Sequence, residues 1–190
     1  PRITNNSVTD NDVAGPKDAS GIYVRDSQTV AVAISDNTVS RNTGNGIFAT
    51  GKSAVSSNTV SNNKGKGIYN SDRNTNSSSP NSSYTISGNN VSNNAGTGIY
   101  AEGVLITINN NTVTGNTASI TGGGISANAS GNMTINNNTV TGNSAAAYGG
   151  GMYLYNMGLV SFVATGNTIK GNTAAIDGGG IYATGHINLS

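Results

Sequence analysis

Residues 106–127 read Ile-Thr-Ile-Asn-Asn-Asn-Thr-Val-Thr-Gly-Asn-Thr-Ala-Ser-Ile-Thr-Gly-Gly-Gly-Ile-Ser-Ala. Apolar and polar residues alternate in three short runs: Ile106-Thr107-Ile108, Thr112-Val113-Thr114 and Ile125-Ser126-Ala127. Asn and Gly separate the runs. Short β-branched runs bounded by turn formers predict strands. The 3.6-residue period of an amphipathic helix is absent. Three strands and three bends in so few residues predict one rung of a solenoid. A single rung cannot bury its apolar side chains, whereas stacked rungs can.

The same pattern recurs along the whole chain. Aligning on Asn111 gives seven copies, anchored at Asn6, Asn37, Asn58, Asn89, Asn111, Asn138 and Asn167. The spacings are 31, 21, 31, 22, 27 and 29 residues. Each anchor precedes Ser-Val, Thr-Val, Asn-Val or Thr-Ile, and five residues later comes a second Asn: Asn11, Asn42, Asn63, Asn94, Asn116, Asn143 and Asn172. Three residues before the anchor lies Ile3, Ile34, Val55, Ile86, Ile108 or Ile135, with Ala164 in the seventh copy. A Gly followed by Ile or Met closes each unit, from Gly21-Ile22 to Gly180-Ile181. The predicted inward columns are the Ile108-, Val113- and Ile125-type residues, stacked about 4.8 Å apart. We read the Asn columns as turn-forming ladders: Asn tolerates left-handed backbone, and a stacked amide both donates and accepts along the stack. A ligand-binding stripe is the other use of such a column. The Gly before each inward Ile is expected to form a tight bend.

Composition alone suggests disorder. Of 190 residues, 27 are Gly, 31 Asn, 23 Ser and 22 Thr, while only 34% are hydrophobic and 9% charged. The repeat overturns that reading, because disorder does not maintain apolar columns. The absence of Cys excludes a disulfide scaffold. A net charge of +1 leaves no electrostatic footprint for nucleic acid or anionic lipid. No run of about 18 apolar residues offers a membrane span, so no membrane insertion is expected. Length variation falls between the columns, in expected loops near residues 70–83 and 12–20.

Asn-Thr-Val-Thr-Gly-Asn at 111–116 and 138–143 and Gly-Gly-Gly-Ile-Tyr-Ala at 178–183 resemble right-handed parallel β-helix repeats of the pectin-lyase-like superfamily. The Asn-rich form resembles adhesin-like surface proteins of methanogenic archaea and, more distantly, bacterial polymorphic outer-membrane repeats. The resemblance implies three parallel sheets and right-handed coiling over the whole chain. The expected fold is therefore all-β: one right-handed parallel β-helix domain over 1–190, with about seven rungs of three strands. The first residues lie inside a rung and neither end carries a recognisable cap. The expectation is a segment of a longer protein, or a unit that stacks end to end on itself.

Chemistry is sparse. Polysaccharide-degrading enzymes of this fold cluster carboxylates on one sheet, and glycosidic chemistry needs an acid–base pair. The eight acids, Asp10, Asp12, Asp18, Asp26, Asp36, Asp72, Glu102 and Asp177, fall in different columns. A hard cation shared by Asp10, Asp12 and Asp18 is conceivable on spacing, but the reading is a solvated loop. His186 is the sole His and reads as a strand residue. No enzymatic activity, metal or cofactor is expected.

Two outward columns remain. Tyr23, Phe48, Tyr69, Tyr100, Tyr153 and Tyr182, interrupted by Ser126, each follow an inward residue. Strand alternation points them outside. Such a row is either a stiffening ladder or a platform for sugar rings or a protein surface. The second column holds Thr and Ser flanking the inward Val, as in Thr112 and Thr114. It is similar to the flat Thr faces of ice-binding solenoids, though Asn90 and Lys170 interrupt it. Several Asn-x-Ser/Thr sequons occur, of which Asn76 and Asn81 are the expected glycosylation candidates. The expected function is a structural or adhesive segment of an extracellular cell-surface or filament-forming protein. Its partners would be further copies of itself, another surface protein or a glycan. A carbohydrate-binding or polysaccharide-degrading β-helix is the alternative, and ice binding a third.

Overall fold

In the computed structural model, residues 1–12, 19–25, 31–71, 83–158 and 162–185 are described. The expected loop centres, Asn76, Asn81, Asp18, Asp26, Asp72 and His186 lie outside them.

Each copy of the repeat forms one rung of a right-handed parallel β-helix. In the fifth rung the strands are Leu105–Asn109, Thr112–Thr114 and Ile125–Ala129. Corresponding strands stack into three parallel sheets, each of seven strands in unbroken rung order. Register is that of the sequence alignment: Ile86 pairs with Ile108 and Ile108 with Ile135, as Val91 does with Val113 and Val113 with Val140. A one-residue slip would turn every inward side chain outward, so the apolar columns hold this register.

The interior is largely apolar. Ile34, Val55, Ile86, Ile108 and Ile135 are fully buried, as are Val39 to Val140 and Ile47 to Ile125 in their columns. Each contributes roughly 1.5–3 kcal/mol on burial. In the first and third sheets the inward column is joined by a neighbour two residues along the strand, such as Tyr84, Ile106 and Met133 in the first and Ala101 and Ala127 in the third. Asn70 also points inward, where its amide donates to Ser53 Oγ. At the seventh rung the column opens, and Ile181 is 46% exposed.

Both Asn columns are continuous hydrogen-bonded ladders. The backbone N–H and the side-chain amide of Asn37 both donate to Oδ1 of Asn58, each at 3.0 Å. The amide also donates back to the carbonyl of Ile3 in the preceding rung. The motif repeats from Asn6 to Asn167 and from Asn11 to Asn172. The ladder Asn residues of the inner rungs are buried, so every amide hydrogen needs a partner.

One expectation about the bends requires correction. The left-handed residue is not the ladder Asn but the one before it. Asn5, Asp36, Ser57, Gly88, Asn110, Asn137 and Gly166 all have positive φ, and so do Asp10, Arg41, Asn62, Asn93, Gly115, Gly142 and Gly171. The left-handed residue turns the chain, and the following Asn side chain then satisfies the backbone groups freed by the turn. The Gly before the inward Ile or Met does sit at a bend in rungs three to seven, without positive φ. A Cβ on Gly98 would lie 2.6 Å from Val113 Cγ1 and 2.7 Å from the Gly124 carbonyl. Gly is needed there for close approach between chain segments.

The expected three strands per rung hold in rungs two to four. Rungs five to seven add a fourth strand, Thr117–Ala118, Ser144–Ala145 and Thr173–Ala174, forming a small fourth sheet. The cause is turn length. Between the second Asn and the inward Ile or Met, rungs two to four have four residues (43–46, 64–67, 95–98). Rungs five to seven have eight (117–124, 144–151, 173–180). The surface therefore steps outward between the fourth and fifth rungs.

Candidate functional site

The third sheet carries the aromatic column on its outer face, beside that step. Ring centroids are 4.9 Å apart from Tyr23 to Phe48, 4.9 Å from Phe48 to Tyr69 and 5.1 Å from Tyr69 to Tyr100. Strand stacking dictates this spacing, since paired strands lie 4.7–4.9 Å apart. The column is less open than alternation implies. Tyr23 is 49% exposed, but Phe48 is only 4% exposed, between the Tyr23 and Tyr69 rings. Tyr69, Tyr100, Tyr153 and Tyr182 are half-buried.

Ser126 divides the column. It is buried because the longer turn of its own rung folds over it: a Cβ on Gly122 would lie 2.5 Å from Ser126 Cβ. Beyond the break, Tyr153 stacks on Tyr182 at 5.5 Å and Tyr148 leans on Tyr182 at 4.8 Å. Tyr148 escaped the alignment because it belongs to the eight-residue turn. Its position just before Gly149-Gly150-Gly151 was the available signal. Burial, reinforced by the neighbouring Tyr182, Tyr155 and Tyr148 phenols, raises the Tyr153 pKa above the usual tyrosine value.

Around Tyr100 the surface becomes polar. The Tyr100 hydroxyl donates to Glu102 Oε2 at 2.9 Å and accepts from Asn128 Nδ2 at 3.2 Å. Lys66 Nζ sits 4.3 Å from the Tyr69 ring centre and 5.3 Å from that of Tyr100. Cation–π attraction thus fixes a positive charge against two rings. A groove of about 430 Å³ opens there, lined by Lys66, Tyr100, the short turns of the preceding rungs and the 118–121 segment of the long turn.

Other sequence-nominated residues are dispersed. Asp10 forms an ion pair with Arg41 of the next rung, which holds its carboxyl below the ordinary range. Asp12 accepts from the Thr43 hydroxyl at 2.8 Å. Among the described residues no group of three or more His, Cys, Asp or Glu is placed to hold a metal. Thr38, Thr59, Asn90, Thr112, Thr139 and Thr168 form one exposed column on the second sheet. Its companion is less exposed, and Ser40 there is buried. No helix of the described residues is long and apolar enough to cross a membrane.

No curated protein and no solved structure matches the chain. The family model described as a right-handed β-helix region matches residues 1–83 and 78–189. With the stacked sheets, the two Asn ladders and a match over almost the whole length, this chain belongs to the right-handed β-helix family.

Proposed function

We propose that the chain is a non-catalytic structural and adhesive segment of an extracellular cell-surface or filament-forming protein. The observation carrying this reading is the continuity of the two Asn ladders through all seven rungs. Each rung is tied to the next by buried side-chain bonds as well as by three sheets, which favours a stiff rod. The carboxylates support the non-catalytic part: Asp10 is engaged by Arg41, Asp12 by Thr43 and Glu102 by Tyr100. The low charge and the Asn-rich repeat agree with the adhesin-like resemblance.

The rod would present its aromatic face to a glycan or another surface protein, and end-to-end contact between copies remains part of the reading. Carbohydrate binding is the favoured second reading, because Tyr69 and Tyr100 combine ring faces with the polar groups of Lys66, Glu102 and Asn128. Ice binding is a weaker third, since Asn90 and Lys170 interrupt the hydroxyl face. The test is a glycan array with the intact chain, alongside an assay for soluble products from the same polysaccharides. Glycan retention without product, lost in a Tyr100→Ala, Tyr153→Ala double variant, supports the adhesive reading. Product release would overturn the non-catalytic part, and undiminished binding by the double variant would overturn the aromatic platform.

A further inference from the structure

The step between the fourth and fifth rungs leaves two peptide N–H groups without the partner that their equivalents have. In the fourth sheet, Thr117 pairs with Ser144 and Ala118 with Ala145, and Ser144 and Ala145 pair with Thr173 and Ala174. Ser119 and Ile120 are therefore equivalent to Ala146 and Ala147, and these to Ala175 and Ile176. In the sixth rung, Ala146 N–H donates to the Ala118 carbonyl at 3.1 Å and Ala147 N–H to that of Ile120 at 2.8 Å. In the seventh, Ala175 and Ile176 donate likewise to Ala145 and Ala147, at 3.2 and 2.9 Å. Ser119 and Ile120 should donate to the fourth rung. Its turn is four residues shorter, and among the described residues neither N–H has a backbone acceptor.

Both residues line the 430 Å³ groove, and Lys66 is the only charged side chain among the lining residues. Adjacent main-chain N–H groups directed into one concavity attract anions. The Lys66 ammonium, held against the Tyr69 and Tyr100 rings in the same groove, strengthens that preference through charge-assisted hydrogen bonds. Tyr100 contributes a ring face, and Thr97 and Ser119 contribute hydroxyls to the same groove. Gly65 and Gly96, which also line the groove, let successive turns stack closely. A Cβ on Gly96 would lie 2.8 Å from the Lys66 backbone nitrogen.

We propose that this step is a binding site for an oxyanion, held by the N–H groups of Ser119 and Ile120 and by Lys66. The oxyanion is a sulfate, phosphate or carboxylate group, free or carried on a sugar ring that lies against Tyr100. The site does not depend on the rod reading, because it follows from a single change of turn length.

The test is an amide NMR titration of the intact chain at constant ionic strength, with inorganic sulfate, glucose 6-sulfate and glucose. Saturable shifts of the Ser119 and Ile120 amides with the two sulfates, absent at Ala146 and Ala147 and absent with glucose, support the site. Tighter binding of glucose 6-sulfate identifies a sugar-borne anion as the source; equal or weaker binding identifies the free ion. Lys66→Gln should weaken binding about tenfold or more, with the Val113 amide unmoved as a check on the fold. Linear, unsaturated shifts, equal shifts at Ala146 and Ala147, or undiminished binding by Lys66→Gln would overturn the proposal. The wild-type titration decides the role of the two amides without any variant.

Discussion

Oδ1 of Asn138 accepts two hydrogen bonds from Asn111, one from its backbone N–H and one from its side-chain amide, each at 3.0 Å. One atom therefore fixes both the backbone and the side chain of the rung before it. Asn111 is itself the acceptor for Asn89, and its amide also reaches the carbonyls of Ile86 and Asn109.

Asn111→Ala should lower stability by about 3 kcal/mol, since it strands donors and acceptors in a buried site. Asn111→Asp keeps the acceptor but loses the donors and introduces a charge. Burial would raise the pKa of the new carboxyl above its unfolded value. Its penalty should therefore be small below the unfolded value and grow as pH rises through the folded one. Denaturant unfolding of both variants at pH 4 and pH 7 tests this. Equal behaviour of Asn111→Asp at the two pH values would contradict it.

Glycine positions should divide by mechanism. Gly98→Ala places a methyl against Val113, the Gly124 carbonyl and the Asn116 amide, at a cost of about 2–3 kcal/mol. Gly142→Ala meets no atom within 4 Å, but its φ is +64°, so only the left-handed strain of about 1–2 kcal/mol applies. Gly142→Asn should be milder still, while Gly98→Asn should be worse than Gly98→Ala. Thermal unfolding of the four variants gives the order.

Along the aromatic column, stability should follow burial rather than ring type. Phe48→Ala is expected to cost about 3 kcal/mol. Tyr23→Ala, at the open end, should cost about 1 kcal/mol. If the two variants unfold at the same denaturant concentration, the rings are not packed as a ladder.

Two titrations report single contacts. The Asp10 carboxyl should titrate below ordinary aspartates, because hydrogen bonding and charge from Arg41 favour its ionised form. Its depressed pKa means that the stabilising contribution is present above the unfolded value and disappears as pH falls through the folded one. Arg41→Gln should move the titration upward by carbon-detected NMR. At high pH, the Tyr153 phenol should ionise later than an exposed tyrosine, and Tyr182→Phe should bring it partway down. An unchanged Tyr153 titration in that variant would leave burial as its cause.

The repeat columns made the coil legible in sequence. Ile108, Val113, Ile125, Asn111 and Asn116 recur at fixed offsets, and offsets are what parallel stacking reads. Less was legible where a side chain depends on its neighbours rather than its column. Phe48 alternates outward like Tyr23, yet the flanking rings bury it. Tyr84 is fully buried at the parity of Ile106, two residues before Ile86, so there spacing and not residue type carried the signal. The groove depended on the difference between Ala95–Gly98 and Thr117–Gly124. That difference is visible as a spacing, but its effect on Ser119 and Ile120 appears only once the rungs are stacked.

The ladder also bears on how such a chain can change length. Every step uses the same acceptor oxygen and the same two donors, whatever the loop between rungs. A rung duplicated or excised between two anchors rejoins identical bonding partners. The coil can therefore lengthen or shorten in whole turns with only the junction to repack, making its length adjustable independently of its outward side chains.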